Sequence, residues 1–371
     1  MSEPLLTVSD LRVSFRTEGG LVQAVDGVSF DLDRGEVLSI VGESGCGKSV
    51  TAMTLMGLTA SRNSSISGSI RLGETEIVGA DDDSLRSIRG ERMAMIFQNP
   101  MSSLNPVQLI GDQIVEQIRA HRDVSKSEAM ERAVYLLDAV GVPDARSRAR
   151  AYPHEFSGGM RQRAMIAMAL SLDPELLIAD EPTTALDVTI QAQIIDLLME
   201  LNREMGLAVI LITHDLGVVA EIANRVAVMY AGQLVEEASL DGLFYDPLHP
   251  YTWGLLGSVP RVDAERPKRL AQIKGQPPSL IDPPKGCRFR ERCPHAFDDE
   301  GDSRDLGRLV RRLSIRLLPE LRERRWLEGL LPAAGDCRSA KPAVRAERGQ
   351  QRGQAPHPTH RVGWQHPLLL R

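Results

Sequence analysis

Aromatic residues are scarce in this chain: Phe, Trp and Tyr together make up 4% of its 371 residues. Cysteine is scarcer still, with four in all. So few, spread so widely, cannot form the disulfide framework of a small secreted domain. No apolar run approaches the ~18 residues that a membrane-spanning helix needs. The longest, such as 207–213, has the length of a buried strand. The opening residues, MSEPLLTVSD, lack the basic region and apolar stretch of a signal peptide, so none is expected. Positive charge is not in excess either, and the net charge of −6 argues against a general nucleic-acid binder. What is present is an ordinary globular composition, 42% hydrophobic and 25% charged. The length suits two or three domain-sized pieces with a sizeable core that needs no disulfide or metal staple.

Short apolar runs recur at 8–15, 36–41, 93–97, 176–179 and 208–213. Each is of strand length and is bounded by turn or charge signals. Runs this apolar belong to strands covered on both faces, as in a mainly parallel sheet, so the fold class is α/β. Residues 225–230 and 233–237 flank Ala231-Gly232 and predict a β-hairpin. Between about 99 and 172 the pattern becomes mostly helical, including a helix over 127–140 that stops before Gly141 and Pro143. This block interrupts the α/β order as an inserted helical subdomain.

After 237 the texture changes. A Pro-rich stretch at 275–287 leads to Cys287 and then Cys293. Beyond Phe297 the chain turns Arg-rich, with 15 Lys and Arg against 10 Asp and Glu over 298–371. The expected division is therefore an α/β domain over 1–237, an extension over 238–297 and a divergent or frameshifted tail over 298–371. Within that tail 306–331 has amphipathic helical character, and the last thirty or so residues are disordered by composition.

The strongest local signal is Gly42 to Ser49, which fits G-x-x-x-x-G-K-[ST] and lies between an expected strand and an expected helix from Lys48 to Leu58. Gly42, Gly45 and Gly47 let the backbone wrap phosphates without Cβ clashes. The N–H groups from Gly45 to Ser49 and the positive helix end favour an anion. The whole segment, with Glu43, Ser44, Cys46 and the following Val50, is expected to line a nucleotide. Lys48 would reach the β- and γ-phosphates, and Ser49 would ligate Mg²⁺. Cys46 fills a free position and carries no expected redox role. A second element, 176–181, ends an apolar strand in two carboxylates. Asp180 is placed to hold Mg²⁺, and Glu181, turned the other way, to polarise an attacking water. His121, His154 and His249 have no partner pattern. Met93, Met95, Met165 and Met168 fall on buried periods and are expected to fill core.

The residues Phe156-Ser157-Gly158-Gly159-Met160-Arg161-Gln162-Arg163 separate this chain from other phosphate-loop proteins. They resemble the signature of ATP-binding-cassette (ABC) transporter ATPases, usually LSGGQ, with Phe156 for Leu and Met160 for Gln. The resemblance implies that Ser157, Gly158 and Gly159 meet the γ-phosphate of ATP held by a partner subunit. It further implies that Gln98 is the glutamine that touches Mg²⁺ and water, that Ala185-Leu186-Asp187 lies at the dimer seam, and that His214 contacts the γ-phosphate. Phe15 would be the aromatic that stacks on adenine, with 16–22 as an insertion beside it. The implied fold is that of an ABC ATPase: a mainly parallel core sheet, an antiparallel β subdomain, the helical insertion and the carboxy-terminal extension.

Leu248-His249-Pro250-Tyr251-Thr252, Gly275 to Leu280 and Pro283 to Cys287 resemble the oligopeptide/dipeptide (and nickel) importer branch. The expected activity is then ATP hydrolysis that powers peptide uptake. Nickel or another solute, or a soluble ATPase outside transport, are the alternatives. The implied partners are a second ABC ATPase, identical or paralogous, two integral-membrane permeases and an extracytoplasmic solute-binding protein. The implied place is the cytoplasmic face of the membrane. Cys287 and Cys293 match the first two of four cysteines that hold an iron–sulfur cluster in that branch. The third is missing after Ala296 and only Cys337 remains, so an intact cluster is not expected.

Overall fold

The computed structural model describes residues 3–184, 186–258 and 273–296. Ala185 of the expected seam, Phe297, Cys337, the 306–331 segment and the whole 298–371 tail lie outside the described residues.

Among the described residues ten strands form two sheets. The first sheet holds β1 (Leu6–Thr17), β2 (Gly20–Leu32), β4 (Ser64–Leu72) and β5 (Thr75–Glu76), in the order β2-β1-β4-β5 with antiparallel pairing. The second holds β3 (Val37–Val41), β6 (Met93–Ile96), β7 (Leu176–Asp180), β8 (Ala208–Thr213), β9 (Arg225–Tyr230) and β10 (Gln233–Ser239). Its order is β10-β9-β3-β8-β7-β6, parallel throughout except for the β9–β10 pair. The hairpin turns at Ala231 and Gly232, both at positive φ, as a two-residue turn between right-twisted strands requires.

The period of two sorts the apolar strands between two cores. Met93, Met95, Leu176, Ile178, Ala208, Ile210 and Ile212 join one cluster with the antiparallel sheet and α1 (Lys48–Leu55). Ala94, Ile96, Leu177, Ala179, Val209 and Leu211 face the other, with the helices. A strand covered on both faces has no polar side to show, which is why these runs read as continuous hydrophobics. Each fully buried Leu or Ile contributes about 1.5–3 kcal/mol. Met165 lies in the helical core and Met168 packs against it.

After α1 come α2 (Asp82–Ile88) and α3 (Pro100–Ser103), then the helical layer of α4 (Ile110–His121), α5 (Lys126–Ala139), α6 (Ala145–Arg148) and α7 (Gly158–Ala169). Ser125 and Glu128 form a reciprocal capping box at the start of α5, worth roughly 1 kcal/mol. Arg132 of α5 and Arg122, just past α4, both reach Asp173 in the turn before β7. They tie the helical layer to the strand that carries the two carboxylates. The long α8 (Val188–Met205) and short α9 (Leu216–Ile222) complete the core, and α10 (Leu240–Tyr245) and α11 (Pro250–Gly257) open the extension. Among the described residues no helix is long and apolar enough to cross a membrane.

The expected bounds of α1 and β6 were too long. α1 stops at Leu55 because Gly57 adopts a left-handed φ of 67°. β6 stops at Ile96, and the next residue, Phe97, turns its ring toward solvent.

Candidate functional site

The phosphate loop leaves the end of β3 and enters α1 through Gly47. A Cβ on Gly47 would lie 2.4 Å from the Ala24 carbonyl oxygen, and one on Gly42 would lie 2.1 Å from that of Met229. The loop is therefore pressed against β2 and β9 at both glycines, and no side chain fits there. The amides of Gly45, Gly47 and Ser49 have no backbone acceptor among the described residues. They sit at the positive end of α1, and a Cβ at Gly45 would meet open space. Donors without backbone partners around a cradle of that kind fit a phosphate chain. Lys48 is buried, and its Nζ donates to the carbonyls of Gly42 (2.7 Å) and Glu43 (3.1 Å). Cys46 is also buried, and burial pushes its thiol up, so it is a poor nucleophile.

β7 brings the carboxylates to the same end of the sheet. The Ser49 hydroxyl donates to Asp180 Oδ1 at 3.1 Å, which joins the two expected Mg²⁺ ligands across 131 residues of sequence. Burial is the largest influence on Asp180 and raises its pKa, with Glu181 adding to the rise. A cation at this point would reverse that penalty. The Ser49 hydroxyl and the Asp180 carboxylate, with the amide oxygen of Gln98 beside Glu181, would offer hard oxygen donors, the chemistry that Mg²⁺ prefers.

Glu181 turns away from Asp180 because its own backbone is left-handed, with φ 46°, while its N–H donates to Ile212 O at 2.9 Å. A non-glycine residue held in that region costs of order 1 kcal/mol or more, and such strain gathers at functional sites. The turn makes Glu181 the hub of a small network. Its Oε2 accepts from Gln98 Nε2 (2.8 Å) and from Thr184 Oγ1 (2.9 Å), and its Oε1 lies 3.4 Å from His214 Nδ1. Thus Lys48, Ser49, Asp180, Glu181, Gln98 and His214 stand together. Thr184 was missed by sequence reasoning, although its place three residues after Glu181 was a usable signal.

Glu43 departs from its expected role. Its amide donates to Tyr251 Oη (2.9 Å), and its carboxylate is held by Arg292. It braces the loop from outside, so the amides left for an anion are those further along. Phe15 is half-buried and packs against the core cluster that contains Cys46. It pairs with Val22, two residues along β2 from Ala24, whose carbonyl oxygen backs Gly47 of the loop. The expected insertion at 16–22 is the tip of the β1–β2 hairpin. Ser157 caps α7, its Oγ accepting from Met160 N at 3.3 Å. Among the described residues no hydrogen bond joins Ser157, Gly158 or Gly159 to the phosphate loop. Gly159 lies against Ile190, and Gly158 3.9 Å from Leu186, measured from the Cβ each would carry. Cys287 and Cys293 are free thiols, and the described residues hold no cluster of three or more His, Cys, Asp or Glu suited to a metal.

A glycine loop at a helix start, a serine meeting a strand-end aspartate and a second carboxylate beside them define an ATPase of the phosphate-loop class. Comparison with known proteins narrows this. The family described as ABC transporter matches over residues 25–184, and that described as oligopeptide/dipeptide transporter, C-terminal region, over 235–299. The chain is 55% identical over 294 residues to the oligopeptide transport ATP-binding protein OppD of Salmonella typhimurium, covering 79% of this chain and 87% of that protein. It is 53% identical over 294 residues to the dipeptide transport ATP-binding protein DppD of Bacillus subtilis, covering 79% and 88%. A solved dimeric ATP-binding cassette in a post-hydrolysis state, bound to ADP and Pi, matches with a TM-score of 0.58 at 27% identity, over 63% of this chain and 98% of that one. The chain belongs to the ABC transporter family, as an ATPase whose C-terminal region is of the oligopeptide/dipeptide type.

Proposed function

We propose that this chain is an ATP-hydrolysing subunit that powers peptide import from the cytoplasmic face of the membrane, paired with a second cassette and docked on two permeases supplied by a solute-binding protein. The observation that carries the chemistry is the meeting of Ser49 with Asp180 beside the Glu181 network. The peptide cargo rests on the likeness to relatives named for oligopeptide and dipeptide transport.

In this reading the amides of the loop and Lys48 bind the phosphates of ATP. Ser49, Asp180 and Gln98 would hold Mg²⁺, which would supply neutralisation of charge on the phosphate oxygens. Glu181 takes a proton from water as the water oxygen bonds to the γ-phosphorus and the bond to ADP breaks. Gln98 and Thr184 aim the carboxylate through Oε2, and His214, beside Oε1, would meet the γ-phosphate. Ser157, Gly158 and the first turn of α7, a helix start that favours an anion, would face a partner's nucleotide.

Reconstitution with permeases in vesicles tests the cargo. Accumulation of a labelled di- or oligopeptide on adding ATP, without accumulation of Ni²⁺, supports import of peptides. Ni²⁺ uptake without peptide uptake refutes it.

A further inference from the structure

The C-terminal extension grips the phosphate loop at one residue. Arg292 meets the Glu43 carboxylate with both arms of its guanidinium, at 2.5 and 2.9 Å. Its side chain is 4% exposed, and the pair is separated by 249 residues in sequence. The same guanidinium donates to Tyr230 Oη (3.2 Å) and to the carbonyls of Lys274 (3.0 Å) and Ile273 (3.4 Å), and it lies over the rings of Tyr230 and Phe289. Tyr251 of α11 takes the Glu43 amide, and burial keeps its phenol protonated. The other side of Glu43 faces the nucleotide machinery, where its carbonyl accepts from Lys48 Nζ and from Cys46 N. Glu43 therefore joins two networks, the extension outside and the lysine inside.

We propose that Arg292 and Tyr251 are positioning residues for the phosphate loop: by fixing Glu43 they set where Lys48 is held, so that the affinity for ATP depends on the extension being seated. The inference rests on the reading that this loop binds ATP. A bidentate charge-assisted pair in a shielded place is among the stronger polar contacts, and its geometry is specific. Arg288 anchors the same segment independently, through Asp26 and the Ala231 carbonyl, so the extension stays attached when Arg292 is changed. The loop is then released without loss of the extension.

The test uses the full chain titrated with a fluorescent ATP analogue, comparing wild type with Arg292→Ala, Arg292→Lys, Tyr251→Phe and, as reference for the loop, Lys48→Ala. The expected result is a Kd raised about 10-fold in Arg292→Ala, with smaller rises in Arg292→Lys and Tyr251→Phe. Tyr251→Phe keeps the ring and should melt within about 4 °C of wild type. A purely structural role would lower the melting temperature and leave the Kd of folded protein unmoved. Wild-type affinity in Arg292→Ala and Tyr251→Phe, with Lys48→Ala still defective, overturns the proposal and leaves the loop reading standing. Binding indifferent to Lys48→Ala overturns both. If Arg292→Ala does not fold, wild-type affinity in the other two variants overturns it.

Discussion

Replacing Glu181 by glutamine removes a charge and a base while keeping the shape of the side chain. Oε2 now accepts from Gln98 and Thr184, at 2.8 and 2.9 Å, and the amide oxygen of glutamine can take over both bonds. The left-handed backbone at φ 46° is set by the Ile212 carbonyl and the flanking strand, not by the carboxylate. Folding should therefore change by less than about 1 kcal/mol, since only the weak contact at 3.4 Å to His214 is altered in charge. The phosphate-binding groups, Lys48 and the loop amides, are untouched, so ATP should bind as before. Catalysis should fall by roughly 10²–10⁴-fold, or about 3–5 kcal/mol of barrier, the usual contribution of a positioned general base. The assay is steady-state phosphate release by the assembled transporter, with nucleotide affinity and melting temperature measured alongside. Turnover within twofold of wild type would remove Glu181 from its role. Equal loss of ATP binding would show instead that it holds the loop.

Gly47→Ala should destabilise the chain by about 2–5 kcal/mol in chemical denaturation and abolish nucleotide binding. It combines a left-handed φ of 109° with a Cβ 2.4 Å from the Ala24 oxygen. A loss below about 0.5 kcal/mol would mean that the loop packs otherwise. His249 predicts acid sensitivity. Its Nδ1 accepts from Tyr251 N at 3.1 Å and caps α11, and burial lowers its pKa to about 4. The unfolded chain, titrating near 6.5, binds the extra proton first. Stability is therefore full above about pH 6.5 and falls as the pH drops toward 4, by up to about 3 kcal/mol. His249→Asn, which retains a capping acceptor, should flatten the melting temperature between pH 5 and 7.5; an unchanged slope would place the acid sensitivity elsewhere.

Local chemistry made much of this protein readable. Ala231-Gly232 announces its hairpin and Gly42 to Ser49 its strand–loop–helix setting, because each depends on residues within a few positions. The alternating cores were legible only as continuous apolar runs, since the partners of Leu176 to Asp180 lie tens of residues away. The brace on Glu43 was not legible at all. Nothing near Arg292 marks it as a ligand of a residue 249 positions earlier, and Glu43 sits in a free position of its motif. The helix-length error at α1 has a plain cause: Gly57 ends the helix, but the apolar pattern runs on to Leu58.

The most direct measurement concerns the proposed division of each nucleotide site between two cassettes. ATPase rate per subunit is followed on dilution of the purified chain, with and without a partner cassette bearing an intact signature. A site completed from across the seam gives a specific activity that falls toward zero at low concentration and returns when the partner is added. A rate per subunit that stays constant at the level of the assembled transporter, down to the lowest dilution, would contradict it.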